Sequence, residues 1–211
     1  MTTGATRRDD DALERARIAA LAELRRTPRA PGWRRQAAVV STGIIAFGVV
    51  ATLGAWLAGI TSADRLVARG PVILLAFGLG ALDAWGGLAP GRRRLVQLAL
   101  GASLAGMAVL VAARSPGPPS AVPGWVCSAS HLGLDLGPAV IALWGLRQSA
   151  WSWSRALTAG LGAGTAGAVL GELACQKGPG HVLIHHVGAW AAIAVACVLV
   201  SRALRPRSYA P

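Results

Sequence analysis

WRRQAAVVSTGIIAFGVVATLGAWLAGI, residues 33–60, decides the fold. After its two arginines the stretch carries no charged side chain. Coiled as an α-helix at ~1.5 Å per residue, residues 37–60 reach roughly 36 Å, enough to cross a ~30 Å hydrocarbon core. Five more runs of the same kind follow at 71–89, 95–113, 126–146, 156–175 and 182–203. The chain therefore reads as all-α, a polytopic membrane protein with six transmembrane helices in one bundle.

The arginines orient the bundle. Nine lie in the N-terminal tail, three at 92–94, two at Arg147 and Arg155, and three at Arg202, Arg205 and Arg207, so 17 of the 21 basic residues fall on one alternating set of segments. Only Arg65, Arg69, Arg114 and Lys177 fall on the other. The positive-inside rule then predicts both termini in the cytoplasm.

With 54% hydrophobic residues in 211, residues 36–203 make one transmembrane domain, flanked by tails 1–35 and 204–211. A net charge of +12 would point to nucleic acid in a soluble protein. Here topology accounts for the charge, and the arginines face anionic lipid instead. Direct nucleic-acid binding is not expected. Residues 1–35 lack the apolar core of ~7–15 residues that a signal peptide needs.

The N-terminal tail holds one organised element. Asp9, Asp10 and Asp11 suit the positive end of a helix dipole. Leu13, Ala16, Ala20, Leu21 and Leu24 then recur at helical spacing, with Arg15, Arg25 and Arg26 off the stripe, before Pro28 and Pro31 end the run. So short a helix cannot bury its stripe by itself. It either lies on lipid headgroups or docks in a partner's groove through Leu13, Leu21 and Leu24. Gly32, Trp33, Arg34 and Arg35 form an interfacial anchor ahead of the first span.

Small residues dominate the fifth run, where Gly160 and Gly164 form one ridge and Ala163, Gly167 and Gly171 a second. Such ridges let helices approach closely in lipid.

Polar side chains are costly inside spans, so their placement is informative. Cys127, His131 and Asp135 share one face of the fourth run. Glu172 and Cys175 end the fifth, and His181, His185 and His186 begin the sixth. Topology brings all of these to the outward end. Cys127, His131, Cys175 and His185 are the most natural set for a tetrahedral soft metal such as zinc. Two other readings stay open: Cys127 and Cys175 as a reversible disulfide pair, or the whole cluster as interhelical packing. Asp83, alone in the second run, is either hydrogen-bonded within the bundle or part of an ion path, and Cys197 reads as a small core residue.

On these features (the basic tail, PGWRR at 31–35, six runs, and Cys127 and Cys175 at two helix ends) the chain resembles the six-span bacterial membrane anti-sigma factors of the NrsF type. Those are negative regulators of extracytoplasmic-function sigma factors. It is also similar to CarR-like regulators responding to light and singlet oxygen. The resemblance implies a tail, roughly residues 9–29, that holds a sigma factor. It also implies that Cys127 and Cys175 correspond to the pair linked in that family with stress or metal sensing. Where members of that family often have proline after the second cysteine, this chain has Gln176. No catalytic residue is expected. Two other classes remain open: a small transporter or channel, and a metal-dependent membrane enzyme with Glu172 as base.

Overall fold

The computed structural model describes residues 13–19, 21–22, 32–115, 122–148 and 151–204, and every regular element among them is helical. Met1–Pro31 and Gly32–Pro211 form two separate units. In the first, residues 13–19 and 21–22 are helical. Leu13 is 75% exposed and Leu21 46% exposed, as an unburied stripe requires. Glu14 lies 3.6 Å from Arg17 one turn on. Leu24, the acidic start at Asp9–Asp11, Pro28, Pro31, Arg205 and Arg207 lie outside the described residues.

The second unit is built from α1 (Trp33–Leu57), α2 (Ala63–Leu88), α3 (Arg93–Ala112), α4 (Gly124–Leu146), α5 (Trp153–Ala163), α6 (Thr165–Ala174) and α7 (Pro179–Ala203). Helices α1, α2, α3, α4 and α7 are long and apolar enough to cross a membrane, yet only 28 to 39% of each apolar window is buried. The remainder presents side chains such as Val50, Leu57, Leu74, Leu104 and Leu199 to the surroundings. Water does not tolerate apolar surface on that scale. The chain is a multi-pass membrane protein.

The run at 156–175, expected as one helix, is instead α5 and α6 meeting at Gly164. Side chains replace the helical hydrogen bonds at this break. Thr165 Oγ1 donates to the Gly162 carbonyl at 2.7 Å. Trp190 Nε1 donates to the Leu161 carbonyl at 2.6 Å. The Gly167 N–H goes to Asp135 Oδ1 at 2.7 Å. Freed backbone groups inside a membrane bundle survive only when satisfied in this way. A second departure is the segment 61–70, expected as a loop. Helix α2 already starts at Ala63, because Ser62 Oγ accepts the Arg65 N–H as an N-cap and Pro71 is accommodated within the helix.

The broken helix sits at the centre. Helix α5 packs on α2 and α7, α6 packs on α1, α2 and α4, and α3 lies against α2 on the outside. Its core side of Val40, Ile44, Leu88, Ala156, Ala159 and Cys197 is tightly packed. The expected glycine ridge explains how: a Cβ on Gly160 would stand 2.7 Å from Ala194 Cα and 2.8 Å from Cys197 Cβ, so only glycine permits that approach. Cys197 is a core residue, as expected.

At the Trp33 end, Arg155 donates to the carbonyls of Gly87 and Leu88 at 2.8 and 3.1 Å, capping the C-terminus of α2. Trp33 meets Trp85 edge-on at 5.6 Å, with the Arg34 and Arg92 guanidiniums 5.6 Å from its ring. Mid-bundle, the buried Asp83 accepts from Ser103 Oγ at 2.6 Å, a hydrogen bond within the bundle. The opposite end carries the polar cluster.

Candidate functional site

Three elements bring the cysteines and histidines together at the end opposite Trp33. Cys127 lies in the first turn of α4, Cys175 immediately follows α6, and His181, His185 and His186 lie in the opening turns of α7. Helix α7 begins at Pro179, a residue suited to a helix start because its missing N–H has no intrahelical role there.

Residues Val182–Val187 then form a π-helical stretch, with hydrogen bonds spanning five residues rather than four. Within it the His181 ring meets His185, ring centroids 4.6 Å apart. In an ideal α-helix His181 aligns with His185. Here the i, i+5 pair His181 and His186 also meets, ring centroids 5.5 Å apart.

Potential ligand atoms of Cys127, Cys175, His181 and His186 all lie within 4.8 Å of one another. Of the set expected from the sequence, Cys127, His131, Cys175 and His185, the two cysteines are in this group, and His181 and His186 are the imidazoles beside them. His131 and His185 make other contacts. His185 Nδ1 lies 3.0 Å from Ser128 Oγ on α4, whose hydroxyl also reaches the His185 carbonyl at 3.2 Å. His131 is buried and turned toward the helix break. Its Nε2 lies 3.2 Å from the Gly164 carbonyl, which can only accept, so the proton sits on Nε2. The same nitrogen is 3.1 Å from Asp135 Oδ2, off the line of the N–H, so that contact is electrostatic. His131, Asp135 and the α5–α6 break form one polar unit.

The second glycine ridge seats these rings. A Cβ on Gly167 would collide with His131, and one on Gly171 with His186. The ridge at 163, 167 and 171 was expected to pack helix on helix, and it also makes room for two imidazoles.

Cys175 is positioned from outside its own helix. Arg114, buried just beyond α3, donates to the Cys175 carbonyl at 2.6 Å and to Glu172 Oε1 at 2.7 Å. Arg69 reaches Glu172 Oε2 at 3.6 Å, and Arg65 donates to the Leu173 carbonyl at 3.1 Å. These donors satisfy the free carbonyls at the end of α6. Glu172 is thus held between two guanidiniums. Sequence reading had counted Arg114 only as one of four outward charges. Its depth, one residue past an apolar run and level with Glu172, was the signal that would have paired them.

Several buried ring nitrogens have no partner: Nδ1 and Nε2 of His186, and Nε2 of His181. Buried polar groups seldom go unsatisfied. All three cysteines are thiols, Cys175 buried and Cys127 half-buried. A cleft of about 250 Å³ opens onto this site, lined in part by Ile60, Val122, Val126, Cys127, Cys175 and His186.

Comparison with known proteins gives no matching family model and no matching solved structure. Among curated proteins, the carotenogenesis protein CarR of Myxococcus xanthus is 40% identical over 205 residues, covering 97% of this chain and 93% of that protein. The match runs over nearly the whole length of both chains. The chain belongs to the CarR family.

Proposed function

We propose that this protein is a membrane-bound negative regulator of transcription, an anti-sigma factor that holds an extracytoplasmic-function sigma factor against the inner face of the bacterial inner membrane. The sigma factor is held by the N-terminal tail, through Leu13, Leu21 and Leu24. The protein passes the membrane six times, α5 and α6 together making the fifth pass, with both termini in the cytoplasm. The outward end receives an envelope, redox, metal or light-derived signal, and the response includes pigment synthesis, as the name of its carotenogenesis relative suggests.

One observation carries this reading beyond the family membership. The tail is a unit of its own whose helix exposes Leu13 and Leu21. An amphipathic helix with an uncovered stripe is the standard form of a groove-binding peptide. The 17-to-4 distribution of basic residues supports its cytoplasmic placement.

A helix broken within a bundle is also how transporters build substrate sites. Here the break at Gly164 is occupied from within by Asp135, Trp190 and Thr165. The nearby cavity beside His131, His186 and Trp190 holds only about 10 Å³. The interior of the break is thus filled, and the larger cleft of about 250 Å³ lies beside Cys127 and Cys175, where the signal is received in this reading.

The test is co-purification. Full-length protein extracted in detergent should bring down a sigma factor. Leu21→Asp should abolish the capture without changing the amount of protein in the membrane, because a charge on a buried stripe costs several-fold in affinity. If removing residues 1–30 leaves the target promoters repressed, the anti-sigma reading is wrong.

A further inference from the structure

We infer that Cys127, Cys175, His181 and His186 form a closed site for a single thiophilic cation of the zinc(II) or copper(I) type, tying the outward ends of α4, α6 and α7 together.

Three independent observations lead there. The first is convergence: four ligand atoms from three chain segments lie within 4.8 Å of one another. In a tetrahedral site with metal–sulfur bonds of ~2.3 Å and metal–nitrogen bonds of ~2.0–2.1 Å, neighbouring ligand atoms stand roughly 3.3–3.8 Å apart. Closing the cluster needs a contraction of about an ångström, within the reach of side-chain rotation.

The second is the unpartnered nitrogens. His186 is only 8% exposed, yet neither of its ring nitrogens has a hydrogen-bond partner, and His181 Nε2 lacks one too. A disulfide between the cysteines would leave all of these nitrogens unsatisfied. A metal uses one nitrogen of each ring directly.

The third is the backbone. The π-helical stretch Val182–Val187 brings His181 and His186 to one side of α7. Such single-turn distortions concentrate at functional sites because they cost helix hydrogen bonding. Without it His186 would sit well around the helix from His181.

The donor set fixes the class of ion. Two sulfurs and two imidazole nitrogens suit soft or borderline cations, not calcium or magnesium, which take oxygen. Glu172, three residues before Cys175, is held by Arg114 and Arg69. On binding, each thiol gives its proton to water as a metal–sulfur bond forms, and no electrons move. Zinc(II) with two thiolates and two neutral imidazoles is net neutral. Copper(I) leaves one negative charge, with Lys177 two residues beyond Cys175. The cleft beside Ile60 and Val126 gives the ion its way in. The binding site rests on geometry alone, and only its role as the signal input rests on the regulatory reading above.

The experiment uses purified full-length protein, reduced and in detergent, titrated separately with zinc(II), with copper(I), and with cobalt(II) as a spectroscopic probe. One equivalent should bind, and cobalt should show tetrahedral bands with thiolate charge transfer. Cys127→Ser, Cys175→Ser, His181→Ala and His186→Ala should each weaken binding at least ~10-fold, while His131→Gln and His185→Ala should not. His186→Cys restores a fourth soft ligand and should rescue binding, which no folding defect would do. Whichever of zinc and copper(I) competes out cobalt more tightly is the resident ion. The inference is overturned by absence of stoichiometric binding, by equal sensitivity at His131 and His185, or by failure of the His186→Cys rescue. Metal binding that leaves a promoter reporter unmoved would sink the sensor role and keep the site. A reporter that responds to tail variants in a protein that binds no metal would do the reverse.

Discussion

Arg114 and Cys175, 61 positions apart in sequence, are joined by a 2.6 Å hydrogen bond from the guanidinium to the backbone carbonyl. The same guanidinium reaches Glu172 at 2.7 Å, with both side chains almost fully buried. Cys175 is therefore held by α3 rather than by α6 alone. Any shift of its sulfur is transmitted first to the helix on the far side of α2.

Arg114→Met should be among the most destabilising single changes in the bundle. Removing one partner of a buried pair leaves the other charge uncompensated, at a cost of about 3–5 kcal/mol. Arg69, 3.6 Å from Glu172, recovers part of that. The double variant Arg114→Met with Glu172→Leu should regain much of the loss. Thermal unfolding in detergent measures both, and equal melting temperatures for Arg114→Met and the parent would refute the clamp.

Asp135 serves the helix break through one oxygen, accepting the Gly167 N–H. Asp135→Asn keeps an acceptor and should cost little. Asp135→Ala leaves a buried N–H unpaired and should cost roughly 1–3 kcal/mol. Hydrogen exchange at Gly167 should accelerate only in the alanine variant.

Gly171→Ala places a methyl where the His186 ring lies. The helix itself should gain from the substitution, so protein yield should hold. Zinc affinity should fall about 10-fold through the displaced imidazole, as for other groups that orient a ligand. Gly101→Ala, where a Cβ meets nothing within 4 Å, is the control. Unchanged affinity in Gly171→Ala would remove His186 from the ligand set.

Reporter fusions check the proposed orientation. Those at residue 118 and near residue 178 should report the periplasm, and those at 92 and 211 the cytoplasm, as the arginine distribution requires. A cytoplasmic signal at 118 would dismantle the six-pass scheme.

The long helices were legible because a continuous apolar run of membrane length has few other folded uses, as 37–60 shows. The meeting of Cys127 with Cys175 was legible too, since topology alone sets their depth. What stayed hidden was local backbone geometry. Nothing in the composition of 156–175 announces a break at Gly164, because the groups that stabilise it, Asp135 and Trp190, arrive from other helices. The proximity of His186 was hidden for a related reason. Counting positions assumes 3.6 residues per turn, and in the π-helical Val182–Val187 stretch His181 meets His186 as well as His185. The four outward basic residues were also more than a remainder from a topology rule. Each donates to or pairs with a group at this end, Lys177 with the Val122 carbonyl included.

The π-helical stretch makes residue number, as much as residue identity, a determinant at the head of α7. Each residue of an α-helix advances about 100° around its axis. Shortening the stretch by one residue, for example by deleting Ile184, would let it relax to an ordinary α-helix with better backbone bonding. His181 and His186 would then stand four apart, still on one side. A π-helical stretch carries one residue more than the α-helix it replaces, so the turns before the deletion, including Pro179 and the connection back to Cys175, would keep close to their present phase. The number of residues and the type of turn at the head of α7 therefore vary together, five-residue spacing of the two imidazoles with the wider turn and four-residue spacing with the ordinary one.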